Sequence, residues 1–127
     1  MTILENVFYI NLDKRTDRKV QVEEQLNNLS WKFNRFPAIL NDDGRIGCTL
    51  SHLNLLKYAL HNNLPYVVIV EDDILFLKPE LFSRNIKKIL DNNHTWDVIL
   101  LAGNLIPPYK TIPNCNYAIQ VNFCQTT

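Results

Sequence analysis

At 127 residues, with 13 basic and 13 acidic side chains, the chain is one domain with enough length for a hydrophobic core. Its charges are balanced and interspersed, so broad attraction to nucleic acid or an anionic membrane has no electrostatic basis. No apolar run approaches the ~20 residues that cross a bilayer. Met1 to Asn6 lacks the basic start and apolar core of a secretory signal, which makes a cytoplasmic location the expectation. Cys48, Cys115 and Cys124 show no CxxC spacing. Their odd number favours reduced thiols, with a Cys115–Cys124 pair as the alternative.

Val7, Phe8, Tyr9 and Ile10, with Leu12, predict a first strand. Thr16 or Asp17 is placed to cap a helix reaching about Leu29, with Val22, Leu26 and Leu29 on one stripe. A short strand is expected over 33–39, with Pro37 marking an edge or an end. Asn41 to Gly44 is turn chemistry. Leu50, Leu53, Leu56 and Leu60 predict a helix from about Thr49 to His61, stopped by Asn62, Asn63 and Pro65. Residues 67–70 are all β-branched and read as a strand buried on both faces, in the middle of a parallel sheet. Pro79 suits the first turn of a helix carrying Phe82, Ile86, Ile89 and Leu90. A further buried strand is expected over 97–101, a proline-containing loop over 103–113 and a last strand over 117–121. This order defines an α/β layer structure with a mainly parallel sheet flanked by helices. The strands at 7–12, 67–71 and 97–101 are expected as neighbours, with their C-terminal ends on a common cleft.

The chemistry gathers where the strand at 67–70 runs into Glu71, Asp72 and Asp73. Ligands of open α/β sheets bind past the carboxyl ends of the strands. Three acids crowded against an apolar core call for a positive partner, a divalent cation being the simplest; the alternative is a solvated acidic turn. If the extended backbone persists, Glu71 and Asp73 point to one side and Asp72 to the other. If the chain turns, Asp72 and Asp73 act together. Only three glycines are present and none form Gly-x-Gly-x-x-Gly or a P-loop, which removes two common nucleotide sites. No Gly-x-Ser-x-Gly elbow starts a hydrolase triad.

Four segments, in order, resemble glycosyltransferase family 25, which includes lipooligosaccharide and procollagen galactosyltransferases. They are Phe8 to Arg18 with its Ile-Asn-Leu and Arg-x-x-Arg, Gly47-Cys48-Thr49-Leu50-Ser51-His52, Val70 to Asp73, and Trp96 to Leu101 followed by Gly103. The resemblance implies a GT-A-like fold binding a UDP-sugar with Mn²⁺, and transfer of a hexose, galactose or glucose, to a glycan or a collagen-like hydroxylysine with inversion. It implies a nucleotide-sugar site of Asn11, Arg15, Arg18, Ser51, His52 and Asp72, and metal ligands among Glu71, Asp72 and Asp73. Guanidinium groups suit a pyrophosphate through paired hydrogen bonds, although Arg15 and Arg18 also read as exposed charges at a helix start. Ser51 is read as helping to open its helix, and His52 as a ligand contact or a hydrogen-bonded structural histidine. Cys48 is read as a small buried packing residue, Trp96 as a core anchor or a stacking platform, and His61 and His94 as surface. No residue is assigned as catalytic base.

Members of that family are longer, and residues 123–127 resemble the start of a segment that continues in them. The chain is therefore expected to be a donor-binding part, with self-association through Tyr117, Ile119, Val121 and Phe123. Two other readings stand beside the transferase: a nucleotide-sugar-binding remnant without turnover, and a small α/β interaction protein.

Overall fold

The computed structural model describes residues 4–92 and 95–125, the side chains of 123–125 excepted. The chain divides into two compact units, Met1–Ser83 and Arg84–Thr127. The first is built on three parallel strands, β1 (Val7–Asn11), β2 (Phe33–Pro37) and β3 (Val68–Glu71), in the order β2-β1-β3. Helix α1 (Thr16–Asn28) connects β1 to β2, and α2 (Gly44–His61) connects β2 to β3.

All five residues of β1 are buried, because it is the central strand and both of its faces are covered. Phe8 and Ile10 point to one face, where they cluster with Leu55 of α2 and with Phe36, Val67 and Ile69. Tyr9 points to the other and donates its hydroxyl to Glu23 of α1 at 2.5 Å. Burial of each such apolar side chain contributes about 1.5–3 kcal/mol. Pairing Val7 with Phe33 and with Val68 brings the three strands into register. Their carboxyl ends, Asn11, Pro37 and Glu71, consequently fall on the same side of the sheet.

Both connecting helices end alike. Ser30 (φ 57°) and Asn63 (φ 52°) adopt the left-handed conformation just past the C-cap. Trp31 N–H then reaches Leu26 O at 3.2 Å and Leu64 N–H reaches Ala59 O at 3.0 Å, satisfying carbonyls left over from the last turn. The starts differ from expectation. Arg15 occupies the N-cap of α1 and makes no side-chain capping bond, so neither Thr16 nor Asp17 caps it. Helix α2 begins at Gly44, five residues before the predicted start, because Asp43 accepts from Arg45 N–H at 2.9 Å and caps the helix. The face that α2 buries is also not the leucine stripe. Gly47, Ser51, Leu55 and Ala59 are buried at four-residue spacing, while Leu53, Leu56 and Leu60 are exposed. The cause is close approach: a Cβ on Gly47 would stand 2.8 Å from the carbonyl oxygen of Ile39, so the small residues must face inward.

Two further expectations need correction. Among the described residues β3 pairs with β1 alone and is an edge strand, with only Val70 fully buried. Residues 97–101 form no strand; Val98, Leu100 and Leu101 are exposed. A segment apolar on both faces needs a layer on each side, and among the described residues its own unit supplies part of a helix and a two-stranded ribbon.

Helix α3 (Pro79–Asp91) starts on Pro79 as predicted and crosses the unit boundary. In the second unit, β4 (Asn104–Thr111) pairs antiparallel with β5 (Ile119–Gln125). The proline-containing segment is thus a strand, not a loop. Pro107 and Pro108 fall at the irregularity between Ile106 and Tyr109, where the ladder asks for no N–H. Ile119 is exposed and Tyr117 and Val121 are half-buried; the Phe123 side chain lies outside the described residues. Among those residues, no helix is long and apolar enough to cross a membrane.

Candidate functional site

Strand β3 ends at Glu71 and the chain turns, with Ile74 N–H bonded back to Glu71 O at 3.3 Å. Of the two arrangements open in the sequence, the turn is the one adopted. It sends the three acids to different partners. Asp72 points inward, where its Oδ2 accepts from Asn11 Nδ2 at 2.7 Å and its Oδ1 from Arg18 at 3.2 Å. Asp73 stays in solvent, 58 % exposed, and meets the same Arg18 nitrogen at 3.4 Å. Glu71 faces α2, where its Oε1 lies 3.1 Å from His52 Nε2 and 3.5 Å from Cys48 Sγ.

Asn11 is the hub. It is buried, donates to Arg15 O at 3.0 Å as well as to Asp72, and accepts from Arg35 Nε at 3.0 Å. Arg35 also donates to Asn11 O at 2.9 Å and to Asp13 at 2.6 Å. Every polar atom of the Asn11 amide is thereby used, and the carboxylate of Asp72 is held where β1 and β3 end. A buried charge of this kind persists only when it is paired and hydrogen-bonded. Behind the turn, Phe76 N–H bonds to Gln25 of α1 at 3.1 Å, and the ring of Phe76 packs on Trp31 and Phe82. The acid-bearing turn is therefore anchored on both sides.

The structure brings Asn11, Arg18, Asp72 and Asp73 into one cluster. Arg15 is directed elsewhere, to Asp17, through bonds of 2.9 and 2.7 Å. That hydrogen-bonded pair raises the guanidinium's pKa and lowers that of Asp17. Ser51 lies two turns inside α2 and does not open it. Its hydroxyl donates to Gly47 O at 2.7 Å and accepts from Ile39 N–H at 2.8 Å, fastening the strand exit to the helix. His52 sits beside Glu71 and lowers the pKa of that carboxyl, chiefly by its hydrogen bond. Cys48 is exposed, contrary to the buried reading. Desolvation, followed by the nearby Glu71 charge, pushes its thiol pKa up. Trp96 is 40 % exposed and is no core anchor. His61 is exposed as expected, and His94 lies outside the described residues. Sequence reasoning missed Arg35; the available signal was a charged residue centred in a short, otherwise largely apolar strand.

An α/β unit whose acids, amide and guanidinium meet past the carboxyl ends of parallel strands has the layout of a ligand-binding unit of the open-sheet class. The model of glycosyltransferase family 25, described as an LPS biosynthesis protein family, matches residues 40–123. The chain belongs to glycosyltransferase family 25. It is 37 % identical over 78 residues to a Haemophilus influenzae protein described provisionally as a glycosyltransferase, a match covering 61 % of this chain and 26 % of that protein. A glycosyltransferase 25 family member of Anopheles gambiae is 27 % identical over 98 % of this chain and 26 % of its own length. Procollagen galactosyltransferase 1-B of Xenopus laevis is 27 % identical over 77 % of this chain and 21 % of its own length. The chain thus spans about a quarter of the length of the curated relatives it matches.

Proposed function

We propose that this protein is a hexosyltransferase that binds a UDP-sugar at the carboxyl ends of β1 and β3, in a GT-A-like manner. The observation that carries the reading is Arg18 bracketing Asp72 and Asp73 beside the buried Asn11, in a chain of this family. In this reading Arg18 is the guanidinium group that meets the diphosphate, and Arg15 could join it only by leaving Asp17. Asn11 positions Asp72, and Arg35 in turn holds Asn11.

The donor set fits a hard divalent cation. Asp73 is exposed and only loosely held, and Asp72 stands on the same arginine, so the two offer carboxylate oxygens of the kind Mg²⁺ and Mn²⁺ take. Asp72 and Asp73 would hold the ion, with Arg18 then released toward phosphate. When bound, such an ion neutralises the diphosphate that leaves. The acceptor oxygen, from a glycan or hydroxylysine hydroxyl, bonds to the anomeric carbon with inversion as the bond to UDP breaks. UDP departs with the electron pair, and the hydroxyl proton passes to a general base. The relative named procollagen galactosyltransferase supports galactose as the sugar.

The test is a thermal melt with UDP in the presence and absence of Mn²⁺, followed by UDP release from UDP-galactose and UDP-glucose. Stabilisation by UDP that grows with Mn²⁺, together with UDP release, is the expected result. A melt unmoved by millimolar UDP under both conditions would remove the donor site. Stabilisation without any UDP release would leave binding and remove the transferase.

A further inference from the structure

Glu71 is the acid that the turn takes away from Arg18, and it joins a different set of side chains. Cys48 and His52 are four residues apart on α2, hence on one face of the helix. They flank the buried Gly47–Ser51 stripe at its exposed rim. Their Sγ and Nε2 both approach one oxygen of Glu71, at 3.5 and 3.1 Å. The donor atoms of the three residues all lie within 4.8 Å of one another, and among the described residues no other group of three does so.

We propose that Cys48, His52 and Glu71 form a binding site for a borderline-soft divalent cation, Zn²⁺ or Co²⁺, separate from the Asp72–Asp73 pair. Ligands about 2.0–2.3 Å from a tetrahedral ion stand roughly 3.3–3.5 Å apart. Two of the three separations here are already close to that, so little rearrangement is needed. The chemistry of the set is selective. A thiolate with an imidazole suits Zn²⁺ or Co²⁺ and disfavours Mg²⁺, Ca²⁺ and Mn²⁺, which prefer oxygen. On binding, the thiol proton goes to solvent, and the ion replaces the contacts that now hold Cys48 and His52 to Glu71. Three protein ligands leave a fourth position for water, the pattern of an open zinc site and not of a closed structural one. All three residues are at least partly exposed, so the ion has an entry path. Each is anchored on a regular element, α2 or the end of β3, and this fixes the spacing. The site does not depend on donor binding.

The experiment is a titration of the reduced protein with Co²⁺, followed by visible absorption and then by displacement with Zn²⁺. A thiolate-to-cobalt charge-transfer band that saturates near one equivalent and disappears on adding Zn²⁺ is expected. Cys48→Ser should abolish the band, leaving Cys115 and Cys124 unable to restore it. His52→Ala and Glu71→Gln should each weaken binding by tenfold or more, since disturbing even the outer partner of a zinc ligand costs about 10–100-fold. Asp73 acts on Cys48 only through its charge and is the last of the causes that raise the thiol pKa. Asp73→Asn should therefore keep the cobalt band and change the affinity by well under tenfold, so that a failed donor site and a failed thiolate site are told apart. Circular dichroism checks that each variant is folded. Absence of the band in wild type, its persistence in Cys48→Ser, or unaltered affinity in both His52→Ala and Glu71→Gln would overturn the proposal.

Discussion

Gly47→Ala is the substitution for which the fold makes the sharpest demand. The added methyl would lie 2.8 Å from Ile39 O, 3.3 Å from Asn41 Cβ and 3.4 Å from Asn41 N. The first of these is backbone, and it cannot swing aside like a flexible side chain. Ser51 ties the same two segments together through Ile39 N–H and Gly47 O, so α2 and residues 39–41 must part for the methyl to fit. Overpacking of this kind costs about 1–3 kcal/mol. Against it stands the helix preference of alanine over glycine, about 1 kcal/mol. Gly44 supplies the internal control, because nothing lies within 4 Å of a Cβ built there. Gly44 is the first helical residue, where alanine gains less than at Gly47, so Gly47→Ala should be less stable than Gly44→Ala by up to the overpacking cost, ~1–3 kcal/mol. Urea unfolding followed by circular dichroism measures the difference. If Gly47→Ala proves as stable as Gly44→Ala, the account of why α2 buries its small residues is wrong.

Removing the hub of the polar cluster should also be costly. Asn11→Ala leaves the inward carboxylate of Asp72 short of its 2.7 Å donor, a loss of about 1–3 kcal/mol in the same unfolding assay; a change within about 0.5 kcal/mol, as at ordinary surface positions, would deny Asn11 that role. The cap of α2 gives a pH dependence. Hydrogen bonds from Arg45 hold the Asp43 carboxyl below its ordinary value of 3.8, so the stability it lends is fully present above 3.8 and is lost as pH falls through the lower folded value. Wild type should therefore melt above Asp43→Ala at neutral pH, and the gap should close in strong acid. A gap that is constant across that range would argue against an ionised cap.

Much of the first unit was legible because its signals are local. The apolar run of β1, the stripe Val22-Leu26-Leu29, Pro37 at the last residue of β2 and Pro79 at the first of α3 all announce themselves within a few residues. The misreadings share a non-local cause. Which face of α2 turns inward is decided by Ile39 pressing on Gly47, and leucine spacing carries no trace of that contact. Residues 97–101 have the composition of a buried strand but no pairing partner among the described residues. Strand β4 was concealed by two prolines that the ladder accommodates at its irregularity. At the site, the family resemblance nominates Asn11, Arg18 and Asp72, helped by the nearness of Asn11 and Asp72 to strand ends. Arg35 stands out only as a charge inside a short strand, and its partner is hidden because it comes to Asn11 from the neighbouring strand. The group of Cys48, His52 and Glu71 joins a helix to a strand nineteen or more positions away, a distance set by the packing of α2 on residues 39–41 and the register of β3 beside β1.

The proposed donor site is tested most directly by calorimetric titration of UDP into wild type and Asp73→Asn, each with saturating Mn²⁺. Asp73 is exposed, and its contact to Arg18 is long at 3.4 Å, so the neutral variant should keep its fold while losing one charged ligand. An order of magnitude weaker UDP binding in Asp73→Asn, about 1.4 kcal/mol, is the result expected of a cation held by Asp72 and Asp73. Equal affinity in the two proteins, or no UDP binding in wild type, would contradict a nucleotide-sugar site at the ends of β1 and β3.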